Sequence, residues 1–127
     1  MIGFVGGTGP EGRGLGLRFA LAGETVMIGS RDLGRAEEAV NSVSESAPPG
    51  SIRGGLNDQI AANSDIVFLA VPFAGHQPTL EGLRDQLDGK IVVDVVAPLT
   101  FSRGQVSAIV VDEGSAAQQA QAILPNS

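Results

Sequence analysis

Three glycines near the amino terminus carry the most readable chemistry. Gly7, Gly9 and Gly12 fall at G-x-G-x-x-G spacing within Ile2-Gly3-Phe4-Val5-Gly6-Gly7-Thr8-Gly9-Pro10-Glu11-Gly12. An apolar stretch precedes them. A helix-periodic stretch follows, with Leu15 and Phe19, and Leu17 and Leu21, four residues apart. In a strand–turn–helix of this kind, Gly7 lets the chain turn sharply out of the strand. Gly9 lacks the Cβ that would hold the backbone away from a pyrophosphate, and Gly12 lets the helix pack close. The first N–H groups of the helix have no intrahelical partner and face the anion. A chain with 18 glycines produces such spacings by chance, so a glycine-rich turn that binds nothing is the alternative.

The next strand favours a dinucleotide. A β-branched and apolar run, Thr25 to Gly29, ends at Ser30-Arg31-Asp32. In dinucleotide folds the residue after this strand meets the adenosine ribose, and NAD binders place a carboxylate there. Here Ser30 and Arg31 come first, which suits a 2′-phosphate. The guanidinium fork matches phosphate oxygens and keeps its charge. Arg35, one helical turn on, reaches the same anion. NADP is therefore expected rather than NAD. Asp32 stands against this unless it pairs with Arg35 or caps a helix. A solvated arginine capping a loop is the alternative for Arg31.

Other reactive side chains are few. His76, the single histidine, lies near the expected crevice mouth, either transferring a proton or as a loop histidine without a chemical task. Asp94 interrupts an apolar run and needs a partner or water. No Ser/His/Asp, Cys/His or metal-ligand cluster is present, so no catalytic side chain and no metal ligand is nominated.

These residues need an alternating strand–helix frame. Strands are expected at Ile2 to Val5, Thr25 to Gly29, Ser51 to Arg53, Ile66 to Val71 and Ile91 to Val96. Val106 to Val111 is strand or extended loop. Helices are expected from about Glu11 to Ala22 (stopped by Gly23), Leu33 to Ser44, a short one through Ala62 capped by Asn57 or Asp58, Thr79 to Leu87, and Ala116 to Leu124 capped by Ser115. Gly12, Gly14 and Gly16 point to a close surface along the first helix. Phe101 to Gly104 reads as loop. The unalternating run Ile66 to Val71 fits a strand buried on both faces of a parallel sheet. The class is α/β: a doubly wound parallel sheet of five to six strands with helices on both faces, as one domain over residues 1–127.

Composition limits the rest. The chain has 127 residues, 43% of them apolar, no cysteine and a net charge of −6. Disulfide and thiolate chemistry are excluded, and a reducing compartment is allowed. The acidic balance argues against nucleic acid. Core strand begins at residue 2, which leaves no room for a signal peptide. No apolar run approaches the ~18 residues of a membrane span. A cytoplasmic protein is expected.

Gly6-Gly7-Thr8-Gly9-Pro10-Glu11-Gly12-Arg13-Gly14 with Gly29-Ser30-Arg31 resembles the NADPH-dependent coenzyme F420 reductases, also called F420H2:NADP oxidoreductases. The likeness continues through Ala70-Val71-Pro72-Phe73, Lys90-Ile91-Val92-Val93-Asp94 and Glu113-Gly114-Ser115-Ala116-Ala117, over nearly the whole chain. It implies a Rossmann NADP-binding domain and hydride transfer between NADPH and the deazaflavin of coenzyme F420. Under the resemblance, Thr8, Gly9, Pro10 and Glu11 contact phosphate, and Ser30, Arg31 and Arg35 read the 2′-phosphate. Val71, Phe73, Ala97 and Leu99 lie toward the nicotinamide. Family members run on through further sheet and a helical domain that helps form the deazaflavin pocket and a homodimer. The chain is thus expected to be the NADP-binding part. A non-catalytic NADP-binding module is the alternative. A dehydrogenase of small carbonyl compounds would have only His76 as proton donor.

Overall fold

The computed structural model describes residues 1–127. Its elements are β1 (Ile2–Val5), α1 (Pro10–Leu21), β2 (Val26–Ser30), α2 (Leu33–Ser44), β3 (Ile52–Leu56), α3 (Asn57–Asn63), β4 (Ile66–Leu69), α4 (His76–Gly82), α5 (Arg84–Leu87), β5 (Ile91–Asp94), β6 (Leu99–Ser102), β7 (Gln105–Ala108) and α6 (Ala116–Ile123). A 3-10 turn, Phe73–Gly75, leads into α4. No helix is long and apolar enough to cross a membrane.

Five strands form one parallel sheet in the order β3-β2-β1-β4-β5, with Phe4 opposite Ile28 on one side and Phe68 on the other. Strand pleating sends alternate residues to opposite faces, and here it builds two cores. Ile2, Phe4, Val26, Ile28 and Ile52 pack with Ala20 of α1 and Ala39 of α2. Val5, Val67 and Leu69 pack with Ala61, Leu80, Leu87 and Ala120 from α3, α4, α5 and α6. Phe4 stacks on Phe68 at 4.9 Å between ring centroids, and Phe19 of α1 tilts against both. The central strand, β1, is buried throughout. Two-sided burial fails toward the edge, where Ile66 and Phe68 of β4 are half-buried and Ile91 of β5 is exposed.

Several sequence expectations change. β4 and β5 end two residues early, at Leu69 and Asp94; the last backbone bonds across run from Ala70 N–H to Val5 and from Val95 N–H to Leu69, and the Val96 N–H turns to the Asp94 side chain. β3 runs on to Leu56 in register with Ser30. The helix expected from Thr79 starts at His76 and breaks at Leu83 into α4 and α5. Neither Asn57 nor Asp58 caps α3, whose N-cap is Leu56. Phe101 to Gly104 is no loop: β6 and β7 form an antiparallel hairpin turning at Arg103 and Gly104, both with positive φ. Gly14 stands in open space rather than against a close surface. The caps at Asp32 and Ser115 are present, each accepting an N–H three residues on.

Lys90 ties the start of β5 to the end of α3. Its ammonium donates to the carbonyls of Ala61, Ala62 and Ser64, each at 2.7 Å. A cation there satisfies carbonyls that a helix end leaves unpaired and opposes the negative end of the helix dipole. Lys90→Met should lower stability by about 2 kcal/mol, since charge-assisted bonds are lost while the stem still packs. Urea denaturation followed by far-UV circular dichroism measures this. An unchanged midpoint would mean that water replaces the ammonium without penalty.

Candidate functional site

β1 sits between β2 and β4, and the connections leaving it and β4 run to opposite faces. In an open α/β sheet, ligands bind at that switch point, outside the carboxyl ends of the strands. A crevice lies there. One lobe, of about 520 Å³, is lined by Gly6, Thr8, Ser30, Arg31, Arg35, Asn57 and Val71, with Pro72, Ala74, Gly75 and Thr79. A second lobe, of about 570 Å³, shares Ser30, Arg31, Asn57 and the α4 wall, and adds Leu56, Asp58, Pro78, Gly82 and Leu83.

The turn between β1 and α1 forms one rim. Its left-handed glycine is Gly6, at φ 71°, not Gly7 as expected. A side chain on Gly6 would also meet Val71 Cγ1 at 2.3 Å. Gly7 is a packing glycine, buried above Phe4, and its N–H donates to the Gly29 carbonyl at 3.0 Å. A Cβ on Gly12 would stand 2.5 Å from Gly7 Cα, so α1 rests on the turn's own backbone. Gly9 faces open space. It is the N-cap of α1 and supplies no side-chain cap, and Pro10 follows. The amides of Glu11 and Gly12 donate to nothing within the chain.

Charge is distributed unevenly around the lobes. Arg31 and Arg35 are exposed, and no carboxylate pairs with either guanidinium, since the ion pairs of the chain are Met1–Asp65 and His76–Asp94. Asp32, the awkward residue of the sequence, accepts the Arg35 backbone N–H at 2.9 Å as the cap of α2. The first lobe therefore holds two free cations and no carboxylate. The second holds Arg31 and Asp58 beside apolar Leu56, Pro78 and Leu83. The Asp65 carboxyl is held below its usual range by a hydrogen bond from the Met1 ammonium and by that group's charge. It sits just before β4, at the amino ends of the strands, away from the crevice at their carboxyl ends.

The structure thus brings Thr8, Ser30, Arg31, Arg35 and Val71 to one lobe, with Gly9, Pro10 and Glu11 at the adjoining helix start. Gly7 and Gly12 support the turn from below. Phe73 stacks on the His76 ring at 5.8 Å. Ala97 and Leu99 follow β5 and line neither lobe. His76 is no loop histidine: it opens α4 and is wholly buried, bonded to Asp94 and Gln119. Asp94 accordingly has the partner that its place in an apolar strand demands.

Sequence reasoning missed Asn57. Its Oδ1 accepts the Gly6 N–H at 3.0 Å and would lie 2.7 Å from a Cβ on Gly29. It braces the turn from the start of α3 and lines both lobes. No local signal marks it, because its partner lies 51 residues away.

The family model described as NADP oxidoreductase, coenzyme F420-dependent, matches residues 1–98. An F420-dependent NADP reductase of Methanothermobacter thermautotrophicus is 42% identical over 127 residues, covering 97% of this chain and 55% of that protein. One from Methanocaldococcus jannaschii is 33% identical over 132 residues, covering 99% of this chain and 59% of that protein. A crystal structure from Arthrobacter, provisionally named an F420-dependent NADP reductase, superposes with a TM-score of 0.79 at 27% identity, covering 99% of this chain and 59% of that one. The chain spans little more than half the length of these relatives.

Asn57→Ala should destabilise the chain by about 1–2 kcal/mol, because the Gly6 N–H loses its acceptor in a half-buried turn. Asn57→Asp keeps the acceptor and should stay close to wild type. Chemical denaturation of both variants checks the pair, and equal losses would show that Asn57 does not hold the turn.

Proposed function

The chain belongs to the coenzyme F420-dependent NADP oxidoreductase family, and from that premise we propose that residues 1–127 are the NADP-binding domain of an enzyme moving hydride between NADPH and the deazaflavin of F420. One observation carries the reading. Two unpaired guanidiniums line a lobe whose lining contains no carboxylate, and two unpartnered amides lie at the start of α1, which follows Gly6 and Thr8 of that lining.

The residues present fit the group. Gly9 leaves room for a pyrophosphate where a Cβ would otherwise project. The amides of Glu11 and Gly12, at the positive end of α1, are free to donate to phosphate oxygens. Thr8 adds a hydroxyl on the same rim. Ser30 and the Arg31 and Arg35 guanidiniums stand where the 2′-phosphate of NADP distinguishes it from NAD. The mixed lobe under Leu56, Pro78 and Leu83 suits an uncharged base edge-on to Asp58. Val71, Phe73, Ala97 and Leu99 remain our assignments toward the nicotinamide, at the ends of β4 and β5.

Bound together, NADPH and oxidised F420 would supply the hydride donor and the hydride acceptor. The chain's own residues bind, orient and exclude water, so no catalytic acid or base is assigned. The relatives named as F420-dependent NADP reductases support F420 as the second substrate. In this reading the partners are the two small molecules and a second copy of the chain, in the cytoplasm, with neither nucleic acid nor membrane. The absence of cysteine suits a reducing compartment, and the net charge of −6 disfavours nucleic acid.

The test mixes the protein with NADPH and oxidised F420 and follows the visible deazaflavin band. NADPH binding is expected, and bleaching would show that the chain also turns over by itself. NADPH binding without bleaching would leave an NADP-binding module. In calorimetry, Arg31→Ala should weaken NADPH by about 1.5–3 kcal/mol, the range for a lost charge-assisted contact, with little effect on NADH. Equal weakening of both nucleotides would remove the 2′-phosphate assignment.

A further inference from the structure

We propose that His76 and Asp94 form a positioning pair for the crevice, clamping its Pro72–Gly75 wall to the carboxyl end of β5. The inference rests on reading the crevice as the NADP site. The His76 side chain is wholly buried and that of Asp94 is 5% exposed. His76 Nε2 lies 2.6 Å from Asp94 Oδ2, and Nδ1 lies 2.8 Å from Gln119 Oε1. The Gln119 Nε2 donates to Glu113 at 3.2 Å, which turns the amide oxygen toward the ring. Both ring nitrogens are therefore engaged, one by the Asp94 carboxylate and the other by the Gln119 amide.

The surroundings show what this arrangement fixes. Leu80, Leu83 and Leu87 fill the neighbouring core, and an apolar residue at 76 would pack among them without desolvating a charge. A buried polar pair is poor evidence for stability, and its best-attested use is to specify one arrangement. Both members adjoin the ligand edge of the sheet. His76 directly follows Ala74 and Gly75, which line both lobes, and its ring carries Phe73. The other Asp94 oxygen accepts the Val96 N–H at 2.9 Å, setting the path of the chain out of β5 toward Ala97. One pair thus holds the Pro72–Gly75 wall of the crevice to the end of β5. His76 exposes no atom to the crevice, so its role is positioning, not catalysis.

Four variants test the clamp by NADPH titration, each well below its own melting temperature. His76→Phe keeps a ring on Phe73 and removes both hydrogen bonds. Gln119→Leu removes the Nδ1 acceptor from a half-buried position on α6. Asp94→Asn keeps the acceptor for Val96 and offers an amide to a neutral imidazole. Leu87→Ala opens the same core outside the crevice lining. His76→Phe should bind NADPH about tenfold or more weakly and Gln119→Leu about threefold or more, because a loosened wall loses its preorganisation. Asp94→Asn should rescue binding to near wild type. Leu87→Ala should lower the melting temperature and leave affinity unchanged. Wild-type affinity in folded His76→Phe overturns the proposal, as does an equal loss in Leu87→Ala. Should His76→Phe fail to fold, wild-type affinity in Gln119→Leu overturns it. If the wild-type chain itself does not bind NADPH, the crevice reading falls and the clamp with it. Binding by wild type with unaffected variants removes the clamp alone.

Discussion

Main chain lies on main chain where β1 turns into α1, and the rest of the crevice depends on that approach. Gly12 rests on Gly7, Gly6 on the Val71 side chain, and Gly29 on Asn57 and the Phe4 carbonyl. No Cβ intervenes at any of the three. The end of β2, the exit of β4 and the start of α1 can therefore meet around one lobe. Backbone of Gly6 and Gly75 lines it beside the side chains of Thr8, Arg31 and Arg35. At Gly12 the opposing atoms are backbone, so no rotamer change could absorb a larger residue.

That geometry lets an acidic chain bind an anion. With a net charge of −6, the long-range field opposes a phosphorylated dinucleotide. Over distances shorter than a Debye length, local groups decide. Asp32, which follows Arg31 in the chain, is committed to the Arg35 backbone N–H as a helix cap. Both guanidiniums are left unpaired. The positive end of α1 carries no side-chain cap, and the amides of Glu11 and Gly12 have no partner within the chain. Attraction is concentrated where the backbone is bare, and the acidic residues elsewhere do not enter the lobe.

Much of this was legible in the sequence, and the reason is locality. β1 and α2 match to the residue because an unbroken apolar run and an Asp32 cap announce them. Thr8, Ser30, Arg31 and Arg35 belong to one β-α-β unit with recognisable spacing. The α4–α5 break was hidden because Leu80, Leu83 and Leu87 keep helical period across it. The β6–β7 hairpin was hidden because its turn uses Arg103 with Gly104, an arginine in a conformation that non-glycine residues rarely adopt. The turn glycine was assigned one residue late, since Gly6 and Gly7 are adjacent and either could have bent the chain. Nothing local distinguished Asn57 or Gln119, or showed what His76 would bond to. Their partners are 18 to 51 residues away, and only the strand order brings them together.

The glycine motif is consequently necessary to the crevice and not sufficient for it. Residues 2 to 30 contain every glycine of the fingerprint, yet the Gly6 N–H finds its acceptor only in Asn57, across the β1–β3 interval. Gly6 also owes its bare Cα to Val71, which arrives only when β4 pairs with β1. The turn's conformation is therefore a tertiary property, completed by strands that enter from both sides of β1. A sequence carrying the same spacing without an acceptor at the head of α3 would leave a half-buried N–H unpaired. That unmet bond would weigh against this one conformation of a flexible turn. What separates a binding crevice from a chance run of glycines is thus written in residues far from the glycines.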